Sequence, residues 1–516
     1  MFRTSLIAAL LCGATFTYSG QALAQDTTVA QADPTDPDAS DDTANAAIAG
    51  AAPVDDAAAK IELLQAQVEA LQQAIEGLKT QVTKVTPTWK GAPQFDDKDA
   101  GFSFKPKGLI QLDAGYVGYP DGNELRGTVG GLNYANLGWN GRARRAIIGA
   151  EGTIPGGFRY NAEFNLAQGA VDYEDIFLAY DFKKAPVTIQ IGNFYPFSSL
   201  ETMTSSRFTS FLERASFTDA FNYNRRLGLG VIFSDKKTDS YIVQAGIFNA
   251  PINDASFTRT SWQASLRGVY SPTLGSTRLH IGANVQHRLN PEEGRAAQYR
   301  TRPLTQITDQ RFIDTGNLAA RGDDAFGLEF GGIMKSFHFA AEAQKVWVRH
   351  AYDASEILDL NTETGSNDAV PAGAIPLNGN PSFKGGYVEL GYFLTGETRG
   401  YKGGRWDRTK VLKPFSDGGW GAIQVNGRLD YVELRDRVDG FSTFAAPFYL
   451  NGGKQLGAQL SLIWNPVDYV RFMAQYGHVA VTGGPRAATV EADSSNTVNK
   501  RKFGVDTVAV RAQLDF

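Results

Sequence analysis

The stretch FRYNAEFNLA, Phe158–Ala167, decides the fold class because its apolar and polar residues alternate as far as Leu166. Apolar side chains occupy the even positions, and polar side chains such as Arg159 and Glu163 occupy the odd ones. A period of two residues predicts a β-strand, whose successive side chains point to opposite faces. In a soluble sandwich the apolar face meets a core and the polar face meets water. In a membrane barrel the apolar face meets lipid, and the polar face meets a water-filled lumen.

The amino terminus has the pattern of a secretory signal peptide over residues 1–24. Arg3 is followed by an apolar run over residues 6–16 and by the small-residue site Ala22–Ala24, which predicts cleavage after Ala24. Cys12 is the only cysteine, and Leu11 stands before it where a lipoprotein would carry a small residue. Nothing else approaches eighteen uninterrupted apolar residues, so the sequence excludes a helical membrane protein.

The carboxyl terminus, FGVDTVAVRAQLDF, repeats the alternation of the opening stretch. Val508, Val510, Leu514 and Phe516 share one face, and Arg511 lies on the other. The chain therefore stops on an aromatic residue of the apolar face. This pattern resembles the last strand of bacterial outer-membrane proteins, in which the terminal Phe is part of the assembly signal.

Three further segments precede the main domain. Residues 25–54 are rich in Ala, Asp, Thr and Pro and lack aromatic residues, so we expect a disordered acidic linker. Residues 55–85 carry a narrow apolar seam spaced alternately by three and four residues, formed by Ile61, Leu64, Val68, Leu71, Ile75, Leu78, Val82 and Val85. This seam predicts a periplasmic coiled coil; the alternative is a single amphipathic helix lying on the domain. Residues 86–105 are predicted as a second linker.

The charge of the chain is unevenly distributed. The formal net charge is −5, but the segment from Asp26 to Ala59 contains eight acidic residues and no Lys or Arg. Residues 85–516 consequently carry a net charge of +2. The negative net charge of the chain therefore comes from residues 26–59, and the main domain is close to neutral and slightly basic.

Alternating segments like the opening one recur between residues 106 and 516, and we count sixteen of them. Short turns such as GTIPGG and WNPVD separate some segments, and longer polar loops separate others. A soluble all-β protein would not readily combine this pattern with an export signal and a terminal Phe. The sequence therefore predicts an all-β fold, a 16-stranded antiparallel transmembrane β-barrel with an N-terminal coiled-coil helix.

The chain resembles the phosphate-selective porins O and P of Gram-negative outer membranes over roughly residues 100–516. The motifs that carry this resemblance follow one another in the order KGLIQLDAGY (Lys107–Tyr116), RARRAIIGAEGTIPGGFRYNAEFNLA (Arg142–Ala167), EDIFLAYDF (Glu174–Phe182), IQIGNFYPFSSLETMTSSRFTSFLERASF (Ile189–Phe217), RRLGLGV (Arg225–Val231) and YFLTGETRGY (Tyr392–Tyr401). The resemblance implies an outer-membrane homotrimer in which an inward-folded loop narrows each pore. An even number of strands places both barrel ends, and hence the N-terminal segment, in the periplasm.

The candidate site is an arginine-rich anion path. Arginine suits oxyanions because its planar guanidinium forms bidentate hydrogen bonds and stays charged at physiological pH. By the resemblance and the alternation, the candidates are Arg142, Arg144, Arg145, Arg159, Arg207, Arg214, Arg225 and Arg226. The alternative for lumen arginines is a balanced wall, in which they pair with acids of neighbouring strands. Residues 185–235 contain no lysine, whereas phosphate-selective members place lysines at the constriction, so phosphate selectivity stays open.

The sequence predicts a passive channel for small hydrophilic solutes with an anion preference. We expect outer-membrane lipid, small anions such as phosphate and copies of the same chain as partners, and no nucleic acid, cofactor or metal. The five histidines form no metal-ligand motif, and an enzyme would require a Ser/His/acid grouping hidden by distance in sequence. A TonB-dependent transporter would need an N-terminal plug domain, but the sequence predicts a linker and a coiled coil in that place. The other serious alternative is a structural anchor that tethers the outer membrane to the cell wall through the coiled coil.

Overall fold

The computed structural model describes residues 55–85, 87–89, 91–97, 99–120, 137–221, 223–253, 261–290, 296–351, 374–375, 377, 379–436, 442–443, 446–447, 450–484 and 502–516. The predicted signal peptide and acidic linker lie outside these residues. Helix α1 spans Asp55–Val85, the same residues as the predicted coiled-coil segment. Within the described part of the chain, no helix combines the length and apolarity needed to cross a membrane.

Sixteen long strands follow α1, and each contains one of the sixteen alternating segments of the sequence. In chain order they are β1 (Phe102–Val117), β2 (Gly138–Ile154), β3 (Phe158–Asn165), β4 (Asp172–Asp181), β5 (Val187–Phe194), β6 (Arg226–Ser234), β7 (Tyr241–Phe248), β8 (Trp262–Tyr270), β9 (Thr277–Leu289), β10 (Leu318–Met334), β11 (Phe337–His350), β12 (Ser382–Phe393), β13 (Ala422–Asp436), β14 (Leu450–Val467), β15 (Val470–Thr482) and β16 (Lys502–Asp515).

These strands form a closed antiparallel barrel. Each strand pairs with the next in sequence, and β16 returns to pair with β1 from Thr507↔Val117 to Asp515↔Leu109. The terminal Phe516 extends this seam, because its backbone N–H and carbonyl both bond to Gly108 at 3.1 Å. The predicted sixteen-stranded barrel is confirmed.

The two faces of the wall have the polarity of a membrane barrel. In the opening stretch, Phe158 is 39 % exposed and Leu166 45 % exposed, while Asn161 and Glu163 are each only 5 % exposed. Apolar side chains therefore point outward and polar side chains point into the barrel, the reverse of a soluble sandwich. The same polarity holds on β1, where Leu112 is exposed and Asp113 is buried.

The barrel begins earlier than residue 106, the boundary drawn from the sequence. Strand β1 starts at Phe102, and the short strand Pro93–Asp97 pairs with it through Phe95↔Phe104. Pro106 interrupts the pattern, and proline is uncommon inside strands because it cannot donate a ladder hydrogen bond. Part of the segment predicted as a linker is therefore sheet.

The connections differ between the two ends of the barrel. We call the end that carries Phe102 and Phe516 the terminal rim, and the other end the opposite rim. Connections at the terminal rim are turns of two to six residues, with one exception of 28 residues between β12 and β13. Connections at the opposite rim include the longest loops of the chain, as porin-type barrels show.

One long loop enters the barrel from the opposite rim. The constriction loop, residues 195–225, contains the short helices α2 (Leu200–Met203) and α3 (Ser216–Ala220) and buries Leu200, Phe211 and Phe217 completely. Its backbone crosses to the far wall, where Leu212 N–H donates to Gln475 at 2.9 Å. The N–H of Ser216 likewise donates to the Asp430 carboxylate at 2.8 Å. The inward-folded loop implied by the resemblance is present.

A second loop enters from the terminal rim. The second inward loop, residues 394–421, contains a hairpin of Gly400–Lys402 and Arg405–Asp407, joined by Gly403 and Gly404 at φ +59° and +71°. Glycine meets the positive φ values of such two-residue turns without strain. A Cβ on Gly404 would lie 2.7 Å from the Ile242 side chain, so the hairpin tip packs directly on the wall. The sequence did not predict this loop.

The remaining short elements lie outside the barrel ladder or extend it locally. They are Thr88–Trp89, Thr273–Leu274, Ala296–Ala297, Arg300–Thr301, Ile313–Asp314, Ser442–Thr443 and Ala446–Pro447 as strands, and Ala167–Gly169 and Phe415–Asp417 as 3₁₀ turns. Residues 296–317 also fold inward, and Tyr299, Phe312 and Ile313 are buried there.

A buried ion pair spans the seam that closes the barrel. Arg511 on β16 donates to both carboxylate oxygens of Asp113 on β1 at 2.6 and 2.7 Å, and both side chains are at most 1 % exposed. Arg511 also donates to the carbonyl of Leu212 in the constriction loop. One guanidinium therefore links the two edge strands to the loop that fills the lumen.

Asp113→Ala should destabilise the barrel by about 3 kcal/mol, because it removes the carboxylate that binds the buried Arg511 guanidinium through two hydrogen bonds and leaves only the ion pair with Glu213 at 2.9 Å. Urea unfolding in lipid vesicles, followed by tryptophan fluorescence, measures the loss. Lys236→Ala is the control, since it breaks the exposed pair with Asp181 at 3.5 Å and should cost no more than about 1 kcal/mol. Equal effects of both variants would contradict a stabilising role of the buried pair.

Candidate functional site: the pore constriction

The described residues line two cavities of interest inside the barrel, one on each side of the constriction loop. The first cavity, of about 160 Å³, faces the opposite rim and is lined by the constriction loop, β2 and residues 301–306. Its charged lining residues are Arg144, Arg145, Arg214, Arg302, Glu213 and Asp219. Four cations thus face two carboxylates.

The second cavity, of about 750 Å³, lies toward the terminal rim between the constriction loop and the second inward loop. Its basic lining residues are Lys105, Lys107, Arg159, Arg207, Arg214, Arg225, Lys402, Arg405 and Arg408, and its acidic ones are Glu151, Glu163, Glu174, Asp175 and Asp407. Cationic side chains exceed acidic ones by four. Both cavities therefore present a positive surplus to a solute.

Three residues line both cavities: Tyr195, Thr202 and Arg214. They mark the place where the two cavities adjoin. The Arg214 guanidinium donates to the carbonyls of Glu201 at 2.9 Å and Thr204 at 2.8 Å, and it makes no ion pair with a described residue. The site thus centres on a cation that is held by backbone carbonyls and that no described carboxylate pairs with.

A β-bulge turns three arginines of β2 toward the lumen. Asp113 pairs with Arg142 and Gln111 pairs with Arg145, so Arg144 is an extra residue between two inward-facing positions. A bulge inserts one residue into the ladder and redirects its side chain. Arg144 contacts Glu213 across the lumen at 2.8 and 3.0 Å, and Arg145 donates to Gln111 at 2.7 Å.

The other predicted arginines differ in their surroundings. Arg207 pairs with Glu163 at 2.6 Å, and Arg225 pairs with Asp175 at 2.6 Å while its guanidinium lies 4.3 Å from the centre of the Tyr195 ring. Arg159 lines the second cavity near the terminal rim and pairs with Asp181. Six of the eight candidates therefore line a cavity, while Arg142 and Arg226 line neither of the two.

Several lumen arginines form the balanced wall that the sequence left open. Arg267 pairs with Glu329 at 2.7 Å, and Arg428 pairs with Glu389 at 2.6 Å and with Glu201 at 2.7 Å, all with side chains at most 3 % exposed. These groups are buried away from both cavities and neutralise one another. They hold the wall and the constriction loop in place.

Sequence reasoning missed the cations contributed by other elements. Lys105 and Lys107 come from β1, and Lys402, Arg405 and Arg408 come from the second inward loop. The constriction loop has no lysine, but β1 and the second inward loop contribute lysines to the second cavity. One feature of the sequence could have indicated these cations. Arg399, Arg405 and Arg408 lie close together in the connection between β12 and β13, which is the one long connection at the terminal rim.

The environment of Glu213 fixes its charge. Burial by itself would raise the pKa of the Glu213 carboxyl, but Arg144 and Arg511 outweigh burial and hold the pKa well below its usual value of 4.5. Glu213 is therefore ionised at neutral pH and cancels part of the positive field of the first cavity. Among the described residues, no group of three or more His, Cys, Asp or Glu side chains is arranged to hold a metal ion.

A closed sixteen-stranded barrel with an apolar outer face and a lumen narrowed by an inward loop defines an outer-membrane porin, a channel of the Gram-negative outer membrane. The chain belongs to the family of phosphate-selective porins O and P, whose model matches residues 123–516.

The chain is similar to other proteins along most of its length. An uncharacterized protein of Caulobacter vibrioides is 35 % identical over 439 residues, covering 83 % of this chain and 77 % of the relative. Porin O of Pseudomonas aeruginosa is 26 % identical over 404 residues, covering 75 % of this chain and 85 % of the relative. Among solved structures, OprB of Pseudomonas putida matches 81 % of this chain and 95 % of its own at 9 % identity, with a TM-score of 0.45. An anion-selective porin from Comamonas acidovorans matches 80 % of this chain and all of its own at 10 % identity, with a TM-score of 0.42.

Glu213→Gln should raise the permeability of anions relative to cations, because it removes a negative charge that offsets Arg144 and Arg511. In the wild type the carboxylate stays charged at pH 7 and through pH 5, since its pKa is below 4.5, and it is neutralised only on further acidification. The wild-type permeability ratio should therefore rise at pH values well below 4.5, and that rise should be smaller in the variant. Reversal potentials in a salt gradient measure both effects.

Glu433→Gln is the matched control for this substitution. Glu433 pairs with Arg435 at 2.6 Å and lines neither cavity, so its neutral variant should keep the wild-type permeability ratio. A Glu213→Gln channel with unchanged selectivity would show that this carboxylate does not act on passing ions.

Proposed function

We propose that this porin is a passive channel for small hydrophilic solutes with a preference for anions. The observation that carries the proposal is the cationic surplus of both cavities, which adjoin at Arg214, a residue without an ion pair among the described residues. A low-dielectric wall with a surplus of one sign of charge concentrates ions of the opposite sign. Because arginine stays charged at any physiological pH, the preference is permanent.

The proposed anion path runs through the predicted arginines that line the cavities. A solute passes Arg144 and Arg145 on the side of the opposite rim, then Arg214, and then Arg207 and Arg225 toward the terminal rim. Arg144, Arg207 and Arg225 share their charge with acids, so they offer weaker attraction than Arg145 and Arg214. Partial pairing keeps any single site from holding the ion too tightly to release it.

We propose phosphate as one of the transported anions. Its support is the family of the chain, together with the lysines that β1 and the second inward loop add to the second cavity. Phosphate takes both bidentate guanidinium contacts and the point charge of an ammonium group. If millimolar phosphate leaves the chloride current unchanged, the channel is a general anion porin.

Replacing Arg214 with alanine should lower the permeability of chloride relative to potassium severalfold, because it removes the cation that both cavities share. Arg226→Ala is the control of equal charge change. Arg226 donates to Asn249 and Ser261 at 3.1 and 3.0 Å and lines neither cavity, so selectivity should stay at the wild-type value. Planar-bilayer reversal potentials measure the ratio.

Two outcomes would overturn the proposal. A wild-type protein without discrete conductance steps would instead be the structural tether considered from the sequence. A wild-type reversal potential that reports cation preference would contradict an anion path. If Arg214→Ala and Arg226→Ala lowered the permeability of chloride relative to potassium equally, selectivity would depend on the total charge of the protein and not on the constriction.

We further propose that the protein is a homotrimer whose α1 helices, exported by the signal peptide, form a periplasmic coiled coil in contact with the cell wall. In support, the seam residues of α1 are exposed in the single chain, with Ile61, Leu64 and Leu71 at 56, 58 and 61 %. Exposed apolar seams are buried when helices pair. A trimer of barrels would impose three-fold symmetry on the helices attached to it.

Deleting residues 55–85 should leave trimeric barrels with unchanged conductance but a lower temperature of trimer dissociation, because the coiled coil only adds contacts. Native electrophoresis after heating, together with bilayer recordings, measures both properties. Loss of trimers in the deletion variant would show that the helices specify assembly. A dimer or monomer from the intact protein in mild detergent would contradict the trimer itself.

A further inference from the structure

The second cavity has an apolar wall as well as its charged one. Phe177 on β4, Ile232 on β6 and Met203 in the constriction loop line it and are half-buried. They pack against a cluster of Phe194, Phe197 and Phe248, each at most 4 % exposed, and Phe194 and Phe197 of this cluster also line the cavity. The cavity thus presents apolar surface on a rigid support.

This apolar surface departs from the pattern of the barrel. Phe177 and Ile232 occupy inward positions, where the neighbouring residues of the same strands alternate outward as Leu178 and Val231. Inward positions of a porin are polar because they meet water. Apolar surface kept in contact with water costs free energy that a bound apolar group would recover.

A cation that makes no ion pair with a described residue stands beside this surface, with Asp175 and Asp407 acting on it only at longer range. The Arg405 guanidinium donates to the carbonyl of Met203 at 3.4 Å and is exposed to the cavity. Lys402 of the same hairpin is also exposed and lines the same cavity. Positive charge and apolar surface therefore meet at Met203.

We infer that the second cavity binds organic anions that carry an apolar body, such as aryl or alkyl phosphates, in preference to inorganic ones. The anionic group lies at Arg405 and Lys402, and the body lies on Met203, Phe177 and Ile232. A volume of about 750 Å³ is in the range of small-molecule sites and exceeds what one inorganic oxyanion needs. The inference rests on the proposed anion path, of which it specifies the solute class.

The first test compares methyl, butyl and phenyl phosphate as blockers of the wild-type chloride current. The three have the same charged group, so a purely electrostatic site would give equal half-blocking concentrations. We expect the half-blocking concentration to fall along the series, to about tenfold lower for phenyl than for methyl phosphate, because the apolar body is removed from water. Equal values along the series would overturn the inference.

The second test removes two of the three apolar contacts. In the double variant Phe177→Ser/Ile232→Ser, the difference between phenyl and methyl phosphate should fall from about tenfold to about twofold, with the methyl phosphate value unchanged, because only Met203 of the three remains. Phe177→Leu retains an apolar side chain and should retain most of the difference. Leu178→Ser is the control on the same strand, because Leu178 points outward and lines neither cavity, so this variant should keep the wild-type difference. An undiminished phenyl advantage in the double variant would show that the apolar body does not lie on Phe177 and Ile232.

Failure of this inference differs from failure of the proposed function. A channel that prefers chloride over potassium but does not distinguish methyl from phenyl phosphate leaves the anion path intact and contradicts the apolar site. A channel without anion preference that is blocked by no phosphate contradicts both. If the double variant does not fold, the wild-type series alone decides.

Discussion

The pairing of β16 with β1 is the constraint on which the rest of the structure depends. Lipid offers no hydrogen-bond partner to a backbone group, so a sheet that crosses a membrane must satisfy every strand edge by closing on itself. The ladder from Thr507 to Asp515 performs this closure, and the backbone of Phe516 extends it to Gly108. Once the barrel is closed, the alternation of each strand fixes which side chains meet lipid and which enter the lumen. The polar residues of FRYNAEFNLA face inward for this reason alone.

Closure creates an interior that must then be filled with polar groups that satisfy one another. The wall supplies carboxylates and amides as acceptors, and the constriction loop supplies backbone N–H donors, as at Asp430 and Gln475. Buried guanidinium groups such as Arg428 are paired with carboxylates of both wall and loop. Charges that are paired in this way maintain shape, and those left without an acid, such as Arg214, determine the field that a solute meets.

Strand number and polarity could be predicted from the sequence, because a two-residue period is a local signal that repeats sixteen times. The inward constriction loop was implied only by the resemblance to a known family. The sequence predicts that β1 starts at residue 106, four residues too late. Pro106 is typical of the limit of a strand, although the alternation continues through residues 102–105 before it. The bulge at Arg144 has no local signal: RARR reads equally well in either parity, and only the register with Gln111 and Asp113 shows that all three arginines face the lumen. The second inward loop could not be placed for a related reason. Its position depends on long-range contacts such as the bonds of Gly403 to Asp239, which no window of sequence contains.

The two inward loops meet each other. Arg399 of the second inward loop donates to the carbonyl of Phe208 at 3.0 Å and to Ser210, and Trp406 N–H donates to Thr204 at 3.3 Å. The narrow part of the pore is therefore clamped between segments that originate at opposite ends of the barrel. A loop tethered at one rim can swing on its hinge, whereas this one can move only if contacts with the other loop break in the same event. The aperture behaves as a fixed part of the wall, and its width is set jointly by two segments that lie almost 200 residues apart in the chain.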